Sequence, residues 1–344
     1  MVKKNSTRQT DAIRQFILKQ IAGHPRDITI FAANRFGVSR QAVLRHMRKM
    51  EVEGLVIIEG ATRDRVYRAA RLSDQEFVYS IKPGLGEDKI WREDLRPFLQ
   101  GLNKNVLDIC QYGVTEMVNN AIEHSGGTQL NVHLRHTQDS IEFGVVDDGM
   151  GLFKKIQNEL GLDDPLHVML ELSKGKLTTD PARHTGEGIF FTTRAFDEVA
   201  LQSGGLRFLH TEETGDWLIE DGKVVAGTDV RLRISPQSDR ILREVFNRFT
   251  TGDDYGFTKT RVPVSLAKYG DENLVSRSQA RRLLARFERF REVILDFEGV
   301  EEIGQAFADE IFRVFRNQHP EILLVVVNAN ERVSRMIGRA EQET

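Results

Sequence analysis

The sequence predicts a multidomain α+β protein of three modules, and three observations carry that expectation. Its 344 residues exceed what a single hydrophobic core of about 100–200 residues organises. Charge is divided unevenly: residues 1–72 hold 15 Lys+Arg against 6 Asp+Glu, residues 73–252 hold 19 against 29, and residues 253–344 hold 14 against 16. The apolar pattern also changes, from helical spacing near the N-terminus to alternating strands and helices near the C-terminus. Modules 1–72, 73–252 and 253–344 follow, with local charges of +9, −10 and −2. The formal total of −3 would argue against a nucleic-acid partner, yet its division confines such a contact to the first 72 residues.

Apolar content of 40% is enough for real cores and excludes a disordered or collagen-like chain. A single cysteine, Cys110, excludes a disulfide framework and any Cys-based zinc site and fits a reducing compartment. No apolar stretch of signal-peptide type follows the N-terminus, and no segment approaches 18 consecutive apolar residues. A cytoplasmic protein without membrane insertion is expected.

In the basic module, Ile13, Phe16, Ile17 and Ile21 recur at helical spacing, and Gly23-His24-Pro25 ends that helix. A second helix is expected over 27–36, stopped by Gly37, and a third after Ser39 as N-cap, carrying Val43, Leu44, Met47 and Met50. The tight Gly-containing connection Phe36-Gly37-Val38-Ser39 is that of a helix-turn-helix. Leu55-Val56-Ile57-Ile58 and Arg65-Val66-Tyr67-Arg68 read as a β-hairpin. The segment resembles a bacterial winged helix-turn-helix domain. That resemblance implies binding of double-stranded DNA, with Arg40, Gln41 and Arg45 reaching base edges and Arg48, Lys49, Arg63 and Arg65 contacting phosphates. A protein-binding winged helix or a solvated basic face is the alternative.

In the middle module, Val114, Met117, Val118, Ala121 and Ile122 form one helical face, while Glu116, Asn120 and His124 fall four apart on another. A carboxylate, an amide and an imidazole in line suit a water, a hard cation and a phosphate, although polar helix faces often show this spacing. The strand pattern 140–146 runs into Asp147-Asp148-Gly149-Met150-Gly151, and Gly186-Glu187-Gly188 precedes the helical run 190–196. In this order the three motifs resemble the histidine-kinase-like (GHKL) ATPase domain, an α/β sandwich, over about residues 105–235. The resemblance implies that ATP binds with Mg²⁺. Asp147 would accept from the adenine amino group. Gly149 and Gly151 would let backbone approach base and ribose, and Asn120 would hold the metal. Glu116 would stand as the catalytic base, with His124 beside it in the ATP site. Gly186 and Gly188 would open a helix toward phosphate, and Thr228 would contact adenine.

Residues 152–185 correspond to the nucleotide lid of that family, where Lys174, Lys176, Arg183 or His184 could steady a γ-phosphate or be solvated. The Glu-Asn-His order is most similar to the anti-sigma-factor serine kinases. None of the nine histidines lies between Glu51 and Val118, which argues against an autophosphorylating histidine kinase.

Beyond a Gly/Asp-rich linker at 249–256, an edge strand is expected at 261–266 because Pro263 demotes a central one. Helices at 278–290 and 304–317, strands at 292–297 and 322–327, and a last helix from Glu331 complete a small α/β sheet. The stretch Val293-Ile294-Leu295-Asp296-Phe297-Glu298-Gly299 resembles the STAS-like domains. Antagonists of that fold carry a serine at the next helix start, where this chain has Gly304-Gln305-Ala306-Phe307-Ala308. Docking or dimerisation is therefore the expected role, with Asp296, Gln305 and Asp309 as an alternative small site.

Together the modules imply a cytoplasmic ATP-binding regulator that couples Mg·ATP in the middle module, bound or hydrolysed, to DNA binding and hence transcription regulation. A protein partner through the STAS-like domain and a homodimer are further contacts it admits. The competing reading is an anti-sigma-type protein serine/threonine kinase acting on another protein or on Ser276 or Ser278.

Overall fold

A computed structural model describes residues 2–21, 23–61, 64–162, 167–176, 186–211, 215–250, 256–268 and 273–342. The N-terminal module has three helices, α1 (Val2–Gln20), α2 (Ile28–Phe36) and α3 (Arg40–Val52), followed by the antiparallel pair β1 (Val56–Glu59) and β2 (Val66–Ala69). Ser39 caps α3, its hydroxyl accepting the Ala42 N–H at 3.2 Å. Ile13, Ile17, Ile28, Ala32, Val43, Met47 and Met50 make its core, so the helical spacing seen in the sequence is the buried face.

A single residue, Ala70, separates β2 from β3 (Arg71–Ser80), which already belongs to the central sheet. After α4 (Glu87–Lys89), a π turn (Ile90–Leu95) and a 3₁₀ turn (Arg96–Leu99), the chain enters the long α5 (Lys104–His124). Then come β4 (Gln129–Thr137), β5 (Ile141–Asp147), α6 (Leu152–Leu160), α7 (His167–Lys174), α8 (Gly188–Ala195), β6 (Glu198–Thr211), β7 (Gly215–Ile234) and α9 (Leu242–Asn247). The five strands form an antiparallel sheet in the order β3-β4-β5-β7-β6. Helix α5 contributes Val106, Ile109, Val114, Met117, Val118 and Ala121 to a core shared with the inward residues Val132 and Leu134 of β4 and Phe143 and Val145 of β5. Phe153, Ile156, Ala195 and Phe196 close the same core from α6, α8 and the residue after α8.

The C-terminal module contains β8 (Lys259–Pro263), a 3₁₀ turn (Val264–Ala267), α10 (Arg277–Leu284), a 3₁₀ turn (Phe287–Arg289) and β9 (Glu292–Asp296). It continues through α11 (Gln305–Asp309), a π turn (Glu310–Phe315), α12 (Arg316–Gln318), β10 (Leu323–Val327) and α13 (Glu331–Gln342). Its three strands are parallel in the order β10-β9-β8, which leaves Pro263 on an edge strand. Two expectations need correction: the edge strand runs over Lys259–Pro263 and turns into a 3₁₀ helix at Val264, and the helix expected over 278–290 breaks after Leu284. Arg286 sits at φ +68°, a left-handed conformation that stops the helix. The core of this module also takes in Leu170 of α7 and Phe190 and Phe191 of α8. The middle and C-terminal modules therefore share one apolar cluster. No helix among the described residues is long and apolar enough to cross a membrane.

Candidate functional site

Alternation along β5 turns Ile141, Phe143 and Val145 into the core and, in the same phase, brings Asp147 to the inner face at the strand end. Thr228 of β7 lies opposite it in the ladder. On α5 the half-buried flank carries Glu116, Asn120 and His124. These groups line one cavity of about 290 Å³, together with Gly151 and Lys155 on the α6 side and Gly186, Glu187 and Gly188 at the start of α8. Met117, Val145, Ile156, Leu201 and Val230 form its apolar wall, as expected of a site that encloses a flat ring beside a few polar groups.

Asp147 is 7% exposed. Its Oδ1 accepts the Gly149 N–H at 2.9 Å, and Thr228 also bonds to the carboxylate. Burial outweighs these bonds and holds its pKa above the ordinary carboxylate value. The neighbouring Asp148 turns the other way. It accepts the N–H groups of Thr128 and Gln129 at 2.6 and 2.8 Å, which hold its pKa below the ordinary value. Thr228 Oγ1 also accepts the Leu152 N–H at 3.0 Å, so one hydroxyl ties β7 to the start of α6.

The glycines of the turn act on the protein's own chain. A Cβ on Gly149 would run into the Ser125 carbonyl, and one on Gly151 would meet the Ser203 hydroxyl. These contacts pack the turn against the end of α5 and against β6. Gly188 lets the first turn of α8 close onto the Glu116 carboxylate, which a Cβ there would push aside.

Sequence reasoning missed Lys155 and Glu159. Lys155 Nζ donates to the His124 carbonyl at 2.9 Å and lies 3.8 Å from Glu159. The i, i+3, i+4, i+7 spacing of Leu152, Lys155, Ile156 and Glu159 was the available signal. Among the described lining residues, Glu116, Asp147, Glu159 and Glu187 face one lysine. Such an acidic cavity suits a polyphosphate only when a divalent cation accompanies it. No cluster of three or more His, Cys, Asp or Glu able to hold a metal occurs among the described residues. The Asn120 amide oxygen in the lining is a donor of the kind that fits a hard cation such as Mg²⁺.

Two expected ATP contacts lie elsewhere. Lys174 is fully buried, and its three ammonium N–H groups go to Glu171 Oε1 at 2.6 Å, the Arg282 carbonyl at 3.0 Å and the Ala285 carbonyl at 2.9 Å. Lys176 Nζ donates to the Arg289 carbonyl at 2.7 Å. Both lysines therefore face the C-terminal module, whose carbonyls satisfy the Lys174 ammonium that burial has stripped of water. Arg63, Arg183 and His184 lie outside the described residues.

In the N-terminal module, Gln41, Arg45, Arg48 and Lys49 are exposed on α3, opposite the buried Val43, Met47 and Met50. Arg40 is also exposed, but its Nε donates to Thr29 Oγ1 at 3.2 Å and so ties α3 to α2. Arg65 is half-buried. Burial, and then the nearby Arg14, Arg45 and Lys49, hold the His46 pKa below its ordinary value. In the C-terminal module Asp296 is taken up by Arg261 and Asn328, and Asp309 by Arg313 and Arg277, so they enter separate networks.

Residues 89–208 match the family model of the histidine kinase-like ATPase domain. Residues 279–334 match that of a STAS-like domain of unknown function (DUF4325). The chain thus contains a histidine kinase-like ATPase domain and a STAS-like domain. No curated protein matches it.

Proposed function

We propose that the chain is an ATP-binding regulator in which Mg·ATP in the central cavity is coupled to double-stranded DNA binding by the N-terminal module, read as a winged helix. The observation that carries the nucleotide half is the convergence of Glu116, Asn120, His124, Asp147 and Gly186–Gly188 on one cavity. Asp147 would hold the adenine amino group, with Thr228 fixing the carboxylate. Asn120 and Lys155 would hold the phosphate end, the amide through the metal and the ammonium directly. When bound, Mg²⁺ would neutralise phosphate charge. Glu116, beside the first turn of α8, would accept a proton from a water or a hydroxyl.

For the DNA half, the support is the exposed Gln41, Arg45, Arg48 and Lys49 on one face of α3. Binding of Mg·ATP can bias DNA binding only through a difference in affinity between two arrangements of the chain.

The placement of Glu116 also favours a second reading, a protein serine/threonine kinase. Ser276 is a poor acceptor in cis, since its hydroxyl caps α10 and accepts the Gln279 N–H at 3.2 Å. Incubation with γ-labelled ATP separates the readings. The regulator reading expects label in inorganic phosphate or retained in ATP, with none on protein. Label on protein that disappears in Glu116→Ala would instead establish the kinase.

A further inference from the structure

The contact between α7 and the C-terminal module is built on a buried Lys174–Glu171 ion pair. Lys174 is 0% and Glu171 5% exposed. Glu171 joins the Lys174 ammonium on one oxygen and the Arg286 guanidinium on the other, at 2.6 and 2.5 Å. Arg286 also donates to the carbonyls of Gly175 and Lys176 at 3.1 and 2.9 Å, and Arg289 to that of Lys176 at 3.0 Å. From β8, the Thr260 hydroxyl donates to the Lys174 carbonyl at 2.8 Å. Every hydrogen bond in this set that crosses between the modules joins residues 171–176 to residues 260–289.

Charges buried this deeply are costly unless each one is paired, and a purely apolar contact would serve adhesion as well or better. What the cluster adds is direction: it fixes how α7 and its last turn sit on the C-terminal module. Gly175, at φ +78°, makes that turn possible, since a Cβ there would strike the rings of Phe257 and Phe190. The helix on the other side of Gly186-Glu187-Gly188 is held as well. Phe190 and Phe191 of α8 pack into the core of the C-terminal module, with Phe190 4.5 Å from the Phe257 ring. Lys176 adds a further tie to the C-terminal module, its ammonium donating to the Arg289 carbonyl at 2.7 Å.

We infer that the STAS-like domain is the nucleotide sensor of this chain: through Arg286, Lys174 and the Phe190 cluster it positions α7 and α8, and so reads occupancy of the cavity at Gly186-Glu187-Gly188. Arg286 and Lys174 act here as positioning residues that do not touch the ligand. The inference rests on the reading of the cavity as a nucleotide site.

Hydrogen exchange of the full chain with and without Mg·ATP tests it. Binding itself is read at residues 147–151. The inference expects protection there and at 186–191 to be accompanied by a change at 283–291. In Arg286→Ala the change at 283–291 is lost while protection at 147–151 remains, with nucleotide affinity lowered about 5- to 10-fold, and Arg286→Lys restores part of it. Arg289→Ala, an exposed change that leaves the buried cluster intact, gives a weaker version of the same result. Protection at 147–151 and 186–191 with no change at 283–291 in the unaltered chain would overturn the inference. No protection at any of these segments would overturn the nucleotide reading and the inference together.

Discussion

Replacing Asp147 with Asn is expected to weaken Mg·ATP binding about 10- to 150-fold while leaving the nucleotide-free protein at least as stable as before. The carboxylate is buried, and desolvation outweighs the hydrogen bonds from Gly149 and Thr228. Its folded pKa is therefore raised above its ordinary value of 3.8. The sign follows from linkage: between 3.8 and the raised value the folded state binds more protons, so stability falls as pH rises through that window. At neutral pH the ionised side chain is a net cost to folding. Asn removes the charge and keeps an oxygen for the Gly149 N–H, but its amide would present a donor to a donor on the ligand. Loss of a hydrogen bond to a charged group corresponds to about 10- to 150-fold in affinity. Melting curves at several nucleotide concentrations check this. The unaltered protein should gain about 2.7 kcal/mol when nucleotide stands at about 100 times its Kd, and Asp147→Asn should gain far less. Against buffer alone, the variant's melting temperature should match the unaltered chain below pH 3.8 and equal or exceed it above. An undiminished nucleotide shift in the variant would place the base elsewhere.

The second large effect is expected at Phe190. Its ring, 2% exposed, lies 5.3 Å from Phe191, 4.9 Å from Phe249 and 4.5 Å from Phe257. Phe190→Ala should cost about 3–5 kcal/mol, the range for truncating a buried aromatic side chain. Because this cluster runs into the core of the C-terminal module, both the ATPase domain and the STAS-like domain should lose stability together. Differential scanning calorimetry reads the outcome. A variant that lowers only one of two separable transitions would contradict the shared core.

Much of this architecture was legible in the sequence, and the reasons differ by element. Helix α5 announced itself because its apolar residues repeat at helical spacing and its buried face is continuous. The inward position of Asp147 was implicit in the alternation of Ile141, Phe143 and Val145. Strand β3 and the long β6–β7 hairpin were not foreseen as a unit. Gly204 and Gly205 interrupt β6, whose pairing with β7 shifts register at Gly204, so no clean alternation marks it. The true setting of Lys174 was invisible for a different reason. Its carbonyl partners at Arg282 and Ala285 lie more than a hundred residues away, and nothing local distinguishes a buried lysine from a solvated one. Lys155 sits on a helix face that reads as solvent-exposed charge until the fold brings Asp147 and His124 to the same cavity.

Coupling of nucleotide to DNA binding is tested by a DNA titration. The full chain is titrated onto labelled double-stranded DNA at constant ionic strength, with and without saturating Mg·ATP, alongside Asp147→Asn. DNA affinity should change about fivefold or more on adding Mg·ATP, the lower end of ordinary coupling between sites, and the Asp147→Asn response should require a nucleotide concentration about 10- to 150-fold higher. Equal DNA affinity with and without Mg·ATP, under conditions where melting curves show the nucleotide bound, would contradict it.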